Sequence, residues 1–211
     1  MNYECPMIFA AIYDRIRKEC NTLLCKLKSA WLCWLWGIEH TGRVFFEGKA
    51  VIRTRKHGDI VCGKNIIFSS RFYSNLVGLI NPTVLDTRHG GHIEVGNFSG
   101  ASSVVISSRC LVRIGERCKI GGNVRIFDHD FHSTDASIRC TSADRTNIRS
   151  APVEIGNDCF IGTNAIILKG TKLGDRSIVA AGSVVFGLDV PPDSLVKGNP
   201  AIILQKRKLS S

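Results

Sequence analysis

No stretch of this chain is long and apolar enough to cross a bilayer. The longest apolar run, Leu23 to Ile38, is interrupted by Lys26 and Lys28 and falls short of the roughly 20 residues a spanning helix needs. The opening residues, Met1-Asn2-Tyr3-Glu4-Cys5-Pro6, lack a basic region before an apolar run, so no signal peptide is expected. No CxxC occurs among the nine cysteines. With no pairing pattern either, they predict a reducing compartment rather than a disulfide framework. Acidic residues are scarce, 18 Asp and Glu against 28 Lys and Arg, for a net charge of +10. Such an excess invites a nucleic-acid reading, yet a recognition helix, zinc-ligand spacing and an aromatic-basic sheet signature are all missing. A basic surface suits equally a phosphate-rich cofactor, an anionic glycan or an anionic membrane. The expected location is cytoplasmic, on the inner face of the membrane if the N-terminal segment touches lipid.

What the chain does have is a period of six. Ile155, Ile161, Ile167, Leu173, Val179 and Val185 are all aliphatic. Four positions after each stand Cys159, Ala165, Thr171, Ser177, Ser183 and Asp189, all small but the last. Six is neither the 3.6 of an amphipathic helix nor simple alternation. It reads as a short strand and a tight turn, repeated. In a prism with three flat faces each face takes six residues. The aliphatic residue points inward and the small one sits where the faces meet. Gly, Asn and Asp supply the corner conformations. The pattern extends upstream through Val95-Gly96, Ile114-Gly115 and Ile120-Gly121, with one residue too many between Val95 and Ile114. Ile60, Ile66 and Phe72 hold the same step. Coils are therefore expected from about Val51 to Val190. Cys118 and Cys159 occupy the small-residue corner, where packed side chains are expected rather than ligands.

Three regions follow: a helical segment at residues 1–45, the prism at 46–204, and a basic tail at 205–211. In the first, Ile8, Ile12, Ile16, Leu23, Leu24 and Leu27 keep helical spacing, basic residues are interleaved, and Trp31, Trp34 and Trp36 cluster at its end. A helix capping the open end of the prism is one reading, and a basic amphipathic segment on a membrane surface is the other. Residues 127–152 break the repeat. A polar insertion of that kind projects from one corner, where function often sits.

Three segments together resemble the hexapeptide-repeat acyltransferases of the left-handed parallel β-helix fold, in the maltose- and galactoside-O-acetyltransferase-like branch that includes polysaccharide O-acetyltransferases. They are the repeat block, the loop opening Asp128-His129-Asp130-Phe131-His132-Ser133, and the close Val190-Pro191-Pro192 through Gly198-Asn199-Pro200-Ala201. The resemblance implies an all-β left-handed β-helix, a homotrimer with sites between neighbouring prisms, and acetyl-CoA as co-substrate with no metal. It implies acetyl transfer to a hydroxyl of a sugar or polysaccharide precursor, with a loop histidine as base. Matching motifs assign the pantetheine arm to Gly162, Thr163, Ala181 and Gly182, and a CoA phosphate to Lys206. Phe160 stands where the family often has Trp.

A hydroxyl attacking a thioester needs a base, and a neutral imidazole can serve. It also needs donors for the oxyanion, while the imidazole needs a partner on its other nitrogen. His132, which closes the Asp-x-Asp-Phe-His pattern, is the favoured base, with His129 the alternative. Asp128 and Asp130 would position the loop or accept a histidine N–H. On the acceptor side stand Asp128, Asp86 and Arg88, with His89 and His92 nearby. Two rival readings use the same residues: a metal site on His89, His92, His129 and His132 in a carbonic-anhydrase-like prism, and N-acetylation of an amino sugar.

Overall fold

The computed structural model describes residues 23–71 and 75–204. The proposed helix at Ile8–Ile16, Phe72 and the tail with Lys206 lie outside them. The strands fall into three sheets. The first face is built from Glu39–His40, Ile60–Cys62, Ile93–Val95, Val112–Ile114, Val153–Ile155, Lys172–Leu173 and Asp189–Val190. The second holds Val44–Gly48, Ile66–Ser70, Gly100–Ser102, Lys119–Ile120, Phe160–Ile161, Ile178–Val179 and Leu195–Gly198, closed by antiparallel Ala201–Leu204. The third holds Ala50–Arg53, Thr83–Asp86, Val105–Ser107, Arg125–Phe127, Ile166–Leu168 and Val184–Val185. Each strand pairs in parallel with the strand three places on, so the chain winds into a triangular left-handed β-helix.

Register explains the period. Ile114 pairs with Ile155 and Ile155 with Leu173 on one face; Ile161 pairs with Val179 on the next; Ile126 pairs with Ile167 and Ile167 with Val185 on the third. All these side chains are buried, stacked in columns whose members touch the same residue of the coil above and below. The small corner residues are buried for a second reason. Ser99 Oγ donates to Gly115 O (2.7 Å), Cys118 Sγ to Gly156 O (3.0 Å), Cys159 Sγ to Gly174 O (3.3 Å) and Ser177 Oγ to Pro191 O (3.2 Å). A short donor at this position reaches the carbonyl at the turn of the next coil, which would otherwise be a buried orphan. The residue before each of these adopts a left-handed conformation: Phe98, Arg117, Asp158 and Arg176, with φ from 56° to 61°.

The prism begins at Glu39, ahead of the expected Val51. Val44, Phe46 and Ile52 are already inside it, and Phe46 stacks on Phe68 with ring centroids 5.1 Å apart. The helix at 23–35 turns Cys25, Ser29, Leu32 and Cys33 inward. Ser29 Oγ accepts from Phe46 N at 2.8 Å. The helix thus packs its inner side on the first coil, while Leu23, Leu24, Leu27, Trp31 and Trp34 are exposed on its outer side.

The three edges differ. From the second face to the third, the corners are mostly short turns. From the third face to the first they are longer in the early coils: residues 54–59, 87–92 and 108–111, then the long insertion at 128–152. The net surplus of one between Val95 and Ile114 is two residues gained here, between Ile106 and Ile114, less one at the corner between Ala101 and Ile106. This third edge is where the site lies.

Candidate active site

The insertion leaves the prism after Phe127 and is pinned at its base. Ala151 N donates to Asp128 O (2.9 Å), His129 bridges antiparallel to Ser150, and Asp130 N donates to Arg149 O (3.2 Å). Between these ends it forms a short helix, Ala136–Arg139, capped by Asp135 through Ser137 N at 2.8 Å, and a 3-10 turn, Asp144–Asn147.

At the root of the loop Asp128 is fully buried. Its carboxylate accepts from Ser108 Oγ (2.7 Å), Arg109 N (2.7 Å) and Cys110 N (2.8 Å), all in the corner one coil below, and it meets His129 Nδ1 at 2.9 Å. Burial alone would raise its pKa. The hydrogen bonds from His129, Cys110, Ser108 and Arg109 outweigh burial and hold the carboxyl below its usual range. An ionised Asp128 accepts a hydrogen bond from a protonated Nδ1, which leaves Nε2 of a neutral ring as the basic nitrogen. The His129 ring is itself buried and packs against Phe131 at 4.5 Å between centroids, with Phe131 edge-on to Phe127.

A second pair sits farther out. His132 Nδ1 lies 2.7 Å from Asp144 Oδ2, and Asp144 Oδ1 accepts from Ser133 N at 2.6 Å. The His132 hydrogen bond, then that from Ser133, holds the Asp144 carboxyl below its ordinary value. Here the imidazole is 69% exposed, against 2% for His129. The two rings therefore share one chemistry but differ in how firmly they are held.

Both open onto a cleft of about 550 Å3 lined by Arg55, Arg88, His89, Arg109, Phe131 and Arg145 among others. Of the residues expected on the acceptor side, Arg88 lines this cleft. Asp86 stands behind it, accepting from Arg88 N (3.1 Å) and Nε (3.2 Å). Asp128 is turned inward with both oxygens taken, so it is placed to orient His129 rather than to meet a substrate. Asp130 bonds to no histidine ring; it pairs with Lys169, which also lies 5.4 Å from the Phe186 ring. His92 faces Glu94 at 3.3 Å. Among the described residues no group of three or more His, Cys, Asp and Glu is placed to hold a metal ion.

Gly162, Thr163, Ala181 and Gly182 lie at the opposite edge, between the second and third faces, in the two coils after the loop. They are neighbours there: Gly182 N donates to Thr163 O (2.9 Å), and a Cβ on Gly162 would stand 2.4 Å from Ala181 N. Within one chain they do not meet the histidines. Asp144 had no mark in the sequence, since nothing in its spacing from His132 separates it from the loop's other polar residues.

A six-residue parallel prism carrying an oriented histidine on an inserted loop defines a hexapeptide-repeat transferase. Residues 152–186 match the family described as hexapeptide repeat of succinyl-transferase. The chain is 32% identical over 173 residues to WbbJ of Escherichia coli K12, which bears the name of a lipopolysaccharide biosynthesis O-acetyl transferase; the match covers 78% of this chain and 82% of that one. It is 29% identical over 119 residues to galactoside O-acetyltransferase of the same organism, 56% of each protein, so the matched part spans about half that relative's length. Among solved structures, a hexapeptide-repeat acetyltransferase of Vibrio cholerae complexed with acetyl-CoA is 25% identical with a TM-score of 0.53, covering 89% of this chain and 85% of that one. The chain belongs to the hexapeptide-repeat acyltransferases.

Proposed function

We propose that this protein transfers the acetyl group of acetyl-CoA to a hydroxyl of a sugar or cell-surface polysaccharide precursor. The observation that carries this reading is the buried Asp128–His129 pair at the wall of a cleft. His129 Nε2 takes the proton of the acceptor hydroxyl as its oxygen attacks the thioester carbonyl. The tetrahedral oxyanion collapses, the carbon–sulfur bond breaks, and the CoA thiolate leaves with the proton returned by His129. Asp128 fixes the tautomer and stabilises the transient imidazolium. No acyl-enzyme is needed, and the buried Cys118 and Cys159 remain corner residues.

His129 is favoured over His132 because catalysis gains most from a group that need not be ordered at the moment of reaction. The pairing of His132 with Asp144 supports a second reading in which His132 is the base. His129→Ala is expected to lower kcat/KM by about 10²- to 10⁴-fold with acetyl-CoA binding retained in calorimetry, and His132→Ala to lower it by less than about tenfold. The reverse order would pass the role to His132. Treating the product with alkaline hydroxylamine separates the bond types: an O-acetyl ester is cleaved, whereas an amide survives.

The pantetheine arm is assigned to Gly162, Thr163, Ala181 and Gly182, whose exposed or small corners let a ligand approach backbone. Since these lie across the third face from His129, the reading requires two prisms side by side, with the arm of one facing the histidine of the next. The outward row of that face supports a homotrimer: Val51, Val84, Val105, Ile166 and Val184 carry only Arg125 among them, whereas the first face presents Glu94, Arg113, Glu154 and Lys172. Lys206 keeps its assignment to a CoA phosphate. The exposed leucines and tryptophans of the helix at 23–35 support contact with a membrane surface.

A further inference from the structure

We infer that the acceptor carries an anionic group, a phosphate or a carboxylate, gripped by a row of arginines along the third edge. The inference rests on the acetyl-transfer reading and gives its substrate class. Arg55 lies in the corner after the first coil, Arg88 and His89 after the second, Arg109 after the third, and His129 opens the insertion after the fourth. Corners of unequal sequence spacing are thus stacked so that one cleft collects Arg55, Arg88, Arg109 and Arg145.

The charge in this cleft is not balanced from within. Three arginines away from it are matched to acids: Arg113 to Glu94 and Glu154, Arg117 to Asp158, Arg176 to Asp193. In the cleft only Arg88 has a carboxylate, Asp86. Among the described residues no acid forms an ion pair with Arg55, Arg109 or Arg145; the Arg109 guanidinium instead donates to Arg145 O at 2.7 Å. Asp144, the one carboxylate lining the cleft, is taken by His132. Burial, then the nearby Arg88, with Arg109 and His129 acting in the same sense, holds the pKa of His89 below its ordinary value against the opposing pull of Asp86. Four guanidinium groups around one cleft repel one another, and an anion relieves that repulsion while accepting their forked hydrogen bonds.

The phosphates of CoA are the competing occupant. The segments assigned to the arm sit in the fifth and sixth coils, on the far side of His129 from Arg55, Arg88 and Arg109. A cofactor running that way leaves the arginine side to the acceptor.

The test uses the full chain and three acceptors built on one sugar: its 1-phosphate, its uronic acid and its neutral methyl glycoside. Calorimetry without acetyl-CoA reads the inference directly, whatever the enzyme does. At least one anionic form is expected to bind about tenfold or more tighter than the neutral one, and which one binds tells phosphate from carboxylate. Arg55→Gln and Arg88→Gln should each erase most of that preference while acetyl-CoA affinity stays within about twofold, and added salt should weaken the anionic ligand selectively. Equal binding of neutral and anionic forms would overturn the inference, as would arginine variants that weaken acetyl-CoA instead. Transfer assays on the same acceptors judge the acetyl-transfer reading separately, since an anionic sugar that binds but is never acetylated would sink that reading and leave the arginine site standing.

Discussion

Asp128 shows how much a single side chain can be asked to do in this fold. It ties the corner after the third coil to the root of the loop and sets the His129 ring at once. Its folded pKa is depressed, so the native state binds fewer protons here than the unfolded chain does. The stability it contributes is present above the unfolded carboxyl value of about 3.9 and is lost as pH falls through the lower folded value. Urea unfolding followed from pH 6 to pH 3 should therefore decline more gently for Asp128→Asn than for the wild type. The same variant, isosteric but favouring the wrong tautomer, is expected to lose about 10³- to 10⁴-fold in turnover. A wild-type rate would mean that His129 does not depend on this carboxylate. Both members of the pair were legible in the sequence because they are adjacent in a polar loop. The choice between His129 and His132 rested on the loop pattern alone. Pattern counting pointed to His132, and only the burial of one ring and the exposure of the other give a reason to rank them differently. Asp144 could not be found at all, because a partner twelve residues away across a folded loop leaves no spacing rule.

At the scale of strands and helices the columns and the outward rows should respond very differently to mutation. Ile126 is fully buried between Ile106 and Ile167. Ile126→Ala removes contacts on both sides and is expected to cost about 2–5 kcal/mol in denaturant unfolding. Arg113→Ala breaks exposed pairs with Glu94 and Glu154 and should cost less than about 1 kcal/mol. The six-residue step was plain in the sequence because each coil must fill the same prism, so the inward position cannot vary in character. The first coil hid from that pattern, since its inward Phe46, stacked on Phe68, is aromatic and the corner that follows it, residues 54–59, breaks the six-residue step to the next coil. The amphipathic helix was visible, and each of its two readings has a face: the inner one packs on the first coil, and the outer one is exposed among the described residues. Flotation with vesicles containing anionic lipid should recover the wild type and lose a Trp31→Ala, Trp34→Ala double variant. Equal recovery of both would leave the helix as a cap alone.

For the whole molecule, the third face is the one to probe. Ile166→Glu places a charge in its aliphatic row and is expected to shift the species seen by light scattering from trimer to monomer, with transfer activity lost alongside. A monomeric wild type would remove the shared site. How the arginines gather along one edge could not be read from the chain, because intervals that differ in length become equal steps only once the coils are stacked. That equality has a metrical consequence. Successive coils of a parallel sheet lie about 4.8 Å apart, so Arg109, Arg88 and Arg55 stand roughly one, two and three such intervals from His129 along the axis. The edge is graduated like a ruler whose zero is the basic nitrogen. An acceptor would be measured by the distance between its charge and its reacting hydroxyl, and moving one arginine by a coil would select a different hydroxyl without altering the chemistry.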